Sequence, residues 1–246
     1  MDNKDLISQY VDTGVGIPEY QFNQLSNNDK KTYLRKIELS VEYSPYNIQF
    51  YYGVLPEEKQ LVAVSKTGYS IHYIKNPSER VQLAAVKEDR VSIKLIENPT
   101  ERVQLAAVNK DGYLIQYIKN PSEVVQLTAV KENGISIDYI KNPSEAVQLA
   151  AIKQKPFSIT YIKNPSEVVQ LTAVKENGIS IKHIKNPTER VQLTAVNKDG
   201  YLIQFIDNPS EAVQIGAVKQ NSGSIRHIKN PTERVMNLYQ QLTQNG

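Results

Sequence analysis

The chain has 246 residues, 40% of them hydrophobic and 22% charged, a balance that suits a folded protein and excludes an intrinsically disordered one. The absence of cysteine removes disulfides, thiol catalysis and thiolate metal sites. A formal charge of +3 argues neither for nor against a nucleic-acid partner, no apolar run reaches the length of a membrane span, and the opening MDNKDLISQY lacks the apolar core of a secretion signal, so a cytoplasmic location is expected.

Near the N-terminus, Asp12-Thr13-Gly14 matches the triplet of aspartic proteases, in which two carboxylates share one proton. It occurs once and without β-rich surroundings, so it reads as a loop. Gly14-Val15-Gly16 lacks the remainder of any phosphate-cradling motif. Ile17-Pro18-Glu19-Tyr20 opens one helix and the stretch from Asn28 to Lys36 opens another. Residues 1–53 are expected to form a helical capping region over the exposed apolar end of a repeat array. The cluster Lys30, Lys31, Arg35 and Lys36 reads as a solvated face.

Beyond residue 53 the sequence repeats. Val81-Gln82-Leu83 returns at Val103, Val125, Val147, Val169 and Val191, and again as Val213-Gln214-Ile215, with a period of 22 residues. Asn-Pro keeps the same beat from Asn76 to Asn230, and a degenerate first copy starts near Val54. Eight tandem repeats therefore occupy residues 54–229, followed by a C-terminal capping helix over 230–246. Within a unit, Asn76 is expected to cap the first helix with Pro77 at its first position, and Glu79 to complete a capping box. Gly112, Gly134, Gly178 and Gly200 stand where a left-handed C′ residue is expected. A second short helix comes next, as in Tyr113-Leu114-Ile115-Gln116-Tyr117-Ile118-Lys119, and ends before the next Asn-Pro. The partial alternation of Ile-Ser-Ile-Asp-Tyr-Ile also admits a strand. The 3.6-residue grouping of Ile137, Ile140 and the intervening Tyr139 favours helix, with Asp138 and Lys141 on the exposed stripe. The fold class expected is all-α: a right-handed α-solenoid of 22-residue two-helix repeats with helical N- and C-terminal caps.

The unit Asn-Pro-Ser-Glu-Val-Val-Gln-Leu-Thr-Ala-Val-Lys-Glu-Asn-Gly at 164–178 resembles a tandem-repeat family catalogued as "domain of unknown function 4116" and found in bacteria, phages and large DNA viruses. The resemblance covers about residues 54–238, with Asn-Pro, Val-Gln-Leu, Ala-Val and Gly in register. It implies tandem helical repeats and neither a reaction nor catalytic residues.

Aligning the copies separates shared columns from free ones. Gln82, Gln104, Gln126, Gln148, Gln170, Gln192 and Gln214, with Gln60 before them, fall inside the apolar arc, where a buried amide must be paired. They are expected to form a structural ladder of bonds to backbone, replaced by Met236 in the last helix. The free columns are Arg80, Arg102, Val124, Ala146, Val168 and Arg190 on the first helix, and Lys94, Gln116, Asp138, Thr160, Lys182 and Gln204 on the second. An apolar middle of Val124, Ala146 and Val168 with arginines on both sides has the anatomy of a protein-binding surface.

These columns point to a non-enzymatic scaffold that binds a protein partner through its exposed repeat surface. No catalytic, cofactor or metal site is read, since His72, His183 and His227 are scattered over columns otherwise filled by unrelated residues. A second reading is single-stranded nucleic acid along Lys75, Lys119, Lys141, Lys163, Lys185 and Lys229, each two residues after a ring. Against it stand the expected burial of Tyr117, Tyr139 and Tyr161 and an acidic column including Glu79, Glu101 and Glu123. Self-assembly into a homo-oligomer is the third reading.

Overall fold

The computed structural model describes Ile7, Thr13, residues 16–51 and residues 55–244. Among the described residues all regular structure is helical. The chain divides into two compact units, Met1–Val125 and Gln126–Gly246. Each unit is built mainly of pairs, an α-helix followed by a six-residue 3-10 helix, in which the α-helix packs on its own 3-10 partner and on neighbouring pairs, as Glu145–Gln154 does on Pro156–Tyr161.

The helix over Glu145–Gln154 shows why these residues fold locally as they do. Ser144 is its N-cap, and the Ser144 hydroxyl accepts from the Val147 amide at 3.3 Å. Ser or Thr takes this role in the later repeats, as Ser78, Thr100, Ser166, Thr188 and Ser210 do, while Pro56 stands there in the degenerate first copy without a side-chain bond. The expected asparagine cap is therefore corrected by two residues. Asn76, Asn120, Asn142, Asn164, Asn186 and Asn208 instead hold φ near 50°, the left-handed conformation that asparagine tolerates better than most residues. The chain reverses there, proline follows, and the hydroxyl residue starts the helix. Glu145 consequently sits at the first helical position rather than the third, and no capping box forms. Its carboxylate accepts from the Ser166 hydroxyl of the next repeat at 2.5 Å, and Glu167 accepts from Thr188 at 2.7 Å. The cap hydroxyls of Ser78, Thr100, Ser166, Thr188 and Ser210 thus each close their own helix and bond the preceding repeat.

The second element of each pair is a 3-10 helix, such as Gly134–Tyr139, in place of the expected α-helix. Six residues rich in β-branched and aromatic side chains cannot repay α-helix nucleation. The tighter winding also changes which residues face inward. At about 3.0 residues per turn, positions three apart superpose. Gly134, Ile137 and Ile140 are buried in one line, as are Gly112, Ile115 and Ile118. Tyr139, placed with the isoleucines by a 3.6-residue count, is turned away and is 46% exposed.

The glycines are corrected as well. Gly134, Gly178 and Gly200 do not adopt the left-handed conformation, and the α-helices end in extended or right-handed residues instead of a left-handed cap. Glycine is needed for close approach: a Cβ on Gly134 would lie 2.6 Å from the Ala151 carbonyl oxygen and 2.8 Å from Ser158 Oγ in the next repeat. The Gly134 amide donates to Gln154 Oε1 at 2.7 Å across the same junction.

Burial on the α-helices follows one stripe. In the second unit Val147, Ala151 and Ile152 are fully buried, and so are Val169, Ala173 and Val174 and their later counterparts. The glutamine beside each stripe bonds backwards within its own repeat: Nε2 of Gln148, Gln170, Gln192 and Gln214 donates to the carbonyl of the proline five residues earlier at 2.9–3.1 Å. Gln82 and Gln104 do the same in the first unit. The proline stands one residue before the N-cap, outside the helical bonding pattern, so its carbonyl is left for the side chain. Gln170→Leu keeps the volume and orphans the Pro165 carbonyl. Its expected cost is about 1–3 kcal/mol, read as a lower urea midpoint at unchanged slope.

In the first unit, helices over Glu19–Gln24 and Asn27–Ser40 precede a 3-10 helix at Pro45–Phe50. Ile17, Phe22, Leu25, Tyr33 and Ile37 form their core, and the Tyr33 hydroxyl donates to the Phe50 carbonyl at 3.0 Å. Val41 and Ile48 pack with Leu55 and Ala63, which joins this region to the first repeat. Residues 27–50 thus reproduce the α-helix and 3-10 pairing without the repeat motif. Glu42 is ion-paired with Lys59, and that contact holds its carboxyl below the ordinary value. At the far end of the second unit, helix Glu233–Gln244 carries Met236 in the glutamine column. It also places exposed Gln240 where other repeats bury valine or isoleucine.

Candidate binding surfaces

All twelve free-column residues are exposed: Arg80, Lys94, Arg102, Gln116 and Val124 in the first unit, and Asp138, Ala146, Thr160, Val168, Lys182, Arg190 and Gln204 in the second. They lie on two different surfaces. Ala146 lines a groove of about 620 Å³ built wholly from α-helix residues, with Leu127, Leu149 and Ala150 as its apolar part and Lys131 and Lys153 toward one end. Asp138 and Thr160 line grooves built from the 3-10 helices and the Asn-Pro turns.

The α-helical surface is apolar where Ala146 and Val168 stand, and Val168 is 53% exposed. Both follow the helix-initiating Glu and point about 100° round the helix from the fully buried Val147 and Val169, which brings them to the surface. The same column changes character elsewhere. Arg80 lies 3.4 Å from Glu58, and Arg234 lies 3.4 Å from Glu211, each pairing with an acid of the preceding repeat. Such exposed pairs contribute little to stability.

The 3-10 surface departs more from expectation. Tyr117 is 43% exposed and Tyr139 46%, and Tyr161 is only partly covered, so the tyrosine column is not buried. The cause is the 3.0-residue winding described above. Within the second unit the rings touch edge to face: Phe157 meets Tyr161 at 6.1 Å and His183 of the next repeat at 5.1 Å, both near perpendicular. Tyr201 meets His227 in the same way at 5.7 Å. Lys182 lies over the Phe205 ring at 5.7 Å, within cation–π range. Each groove here runs between the ring and lysine of one repeat and those of the next, as between Tyr161 with Lys163 and His183 with Lys185. Lys141, Lys163, Lys185 and Lys229 are exposed and enter no ion pair among the described residues. The acidic column is engaged elsewhere, since Glu145, Glu167 and Glu189 accept from the cap hydroxyls.

No family model, curated protein or solved structure matches this chain. No helix among the described residues is long and apolar enough to cross a membrane. Asp12, Gly14 and Val15, which carried the protease-like triplet and the glycine pair, lie outside the described residues, as does Val54.

A signal for the missed tyrosine exposure was present in the sequence. Ile115 and Ile118 recur three residues apart in every copy, with glycine three residues before them in five of the eight, which is a 3-10 stripe. The ring and lysine columns follow from that register.

Proposed function

We propose that the chain is a non-enzymatic repeat scaffold of the tandem-repeat family its units resemble, and that it binds a protein partner in the cytoplasm through the outer surface of its α-helices. The observation that carries this reading is the half-exposed Val168 and, one repeat earlier in the same column, exposed Ala146, which lines the apolar groove with Leu127, Leu149 and Ala150. Lys131 and Lys153 on one side of the groove and Glu145 at the helix start give an apolar centre with a charged rim. That arrangement excludes water from the centre and sets orientation at the edge. A partner helix laid into such a groove would anchor through residues spaced three and four apart.

The test is site-specific photo-crosslinking in cells that make the protein. A photoreactive phenylalanine analogue at position 168 is expected to give discrete protein adducts, and the same analogue at Thr160, on the other surface, is expected not to give them. Ala146→Asp should lower the adduct yield about tenfold or more by placing a charge at the centre of the contact. Equal adducts from both positions, or none from position 168, would rule the reading out.

A further inference from the structure

The 3-10 surface of the second unit holds a feature that the α-helical contact leaves unused. At the last position of each 3-10 helix stand Tyr139, Tyr161, His183, Phe205 and His227. Immediately before them the column runs Asp138, Thr160, Lys182, Gln204 and Arg226, with no shared chemistry. A position whose only task was to fill the interior would select shape and greasiness, as the fully buried Ile137, Ile159, Ile181 and Ile203 do. Tyrosine, phenylalanine and histidine differ in polarity, hydrogen bonding and size, and share a flat π face. They retain it at a position that water reaches, with Phe157 wedged between Tyr161 and His183 so that successive rings are held one repeat apart.

Two residues after the ring the column reads Lys141, Lys163, Lys185, Asp207 and Lys229. The extended residue between them, such as Ile140, ends the 3-10 helix and turns inward, and the asparagine after the lysine reverses the chain. Tyr139 with Lys141, Tyr161 with Lys163 and His183 with Lys185 therefore each offer a flat ring and an ammonium group on the rim of a groove shared with a neighbouring repeat, and the sequence repeats the pair at His227 and Lys229. In the first unit the copy that lacks the ring, at Leu95, also lacks the lysine and has Glu97.

We propose that this surface binds single-stranded nucleic acid, one nucleotide per repeat, with bases against the rings and phosphates at the lysines. Stacking tolerates every base because every base has a π face, and cations beside the rings follow the backbone. An acidic polypeptide would satisfy the lysines and give no reason for a ring in each repeat of this unit. A duplex keeps its bases stacked on one another and out of reach of the rings.

The experiment uses the full chain and a fluorescein-labelled oligodeoxythymidylate of about 16 nucleotides, followed by anisotropy at about 50 mM salt and above. Saturable binding that weakens with salt is expected. Tyr161→Leu is expected to weaken it about fivefold or more, and the double change with Tyr139→Leu more than either alone. Leucine is native to this column at Leu95, so the fold should tolerate it, and thermal melts of the variants check that it does. Lys163→Gln should flatten the log–log salt dependence by about 0.7. The proposal is overturned if the oligonucleotide does not bind, if folded leucine variants bind as well as the parent, or if poly-glutamate or duplex DNA of equal length competes as strongly as the single strand.

Discussion

Val169→Asp is expected to unfold the repeat that carries it, and Val168→Asp, one residue earlier, to leave the chain folded. Val169 is fully buried on the stripe with Ala173 and Val174, while Val168 is 53% exposed. A carboxylate at position 169 has no cation among its buried neighbours and no water, so the cost is the desolvation of an unpaired charge, about 4 kcal/mol or more. At position 168 the same carboxylate stays solvated and sits in the first turn of helix Glu167–Glu176, where the helix dipole favours it. The net change there is expected within about 0.5 kcal/mol. Because each repeat gains most of its stability from its neighbours, loss of this one should spread through the second unit. Urea unfolding followed by far-ultraviolet circular dichroism reads both variants. Similar midpoints for the two would mean that the helix register is wrong. Val168→Asp has a second use: it should abolish contact with a protein partner in a molecule that is still folded, which separates binding from stability.

The period, the α-helix of each unit and its buried valines were legible from the sequence because they obey local rules at a fixed spacing. Other features were not, and three of them show the physical reason. Asparagine serves well as a helix cap, so the motif favours Asn164 for that role. The cap is Ser166, and the two choices differ only in whether the residue before proline turns left-handed, which the motif Asn-Pro-Ser does not state. Tyr139 falls in the core only if α-helical spacing is assumed for a segment too short to form one, and 3-10 spacing moves it to the surface. The pair formed by helix Asn27–Ser40 and the 3-10 helix Pro45–Phe50 carries no Val-Gln-Leu and no Asn-Pro. Its resemblance to a repeat lies in the packing of Ile48 and Val41 against Leu55 and Ala63, contacts that only a structure displays. For the surfaces, exposure of the free columns could be read from the wheel. The ring and lysine grooves could not, because they depend on how one repeat stacks on the next.

The same substitution made at two glycines is expected to act in opposite directions. Gly200 opens a 3-10 helix, and a Cβ there would press on the Ala217 backbone carbonyl and lie 2.5 Å from Ser224 Oγ in the following repeat. Backbone cannot rotate aside, so Gly200→Ala must widen the junction and stretch the bond from the Gly200 amide to Gln220 Oε1, now 2.6 Å. The expected loss is about 1–3 kcal/mol. Gly216 lies inside helix Glu211–Gln220, where glycine costs about 0.5–1 kcal/mol relative to alanine through the freedom it has in the unfolded chain. An added Cβ meets Val196 Cγ2 at 3.3 Å and Leu193 Cδ2 at 3.5 Å, both side-chain ends able to yield, and the equivalent positions 150, 172 and 194 already carry Ala, Thr and Thr. Gly216→Ala is therefore expected to raise the urea midpoint and Gly200→Ala to lower it. If both raised it, Gly200 would not be there to admit the next repeat, and close approach at that junction would not be what stacks these units.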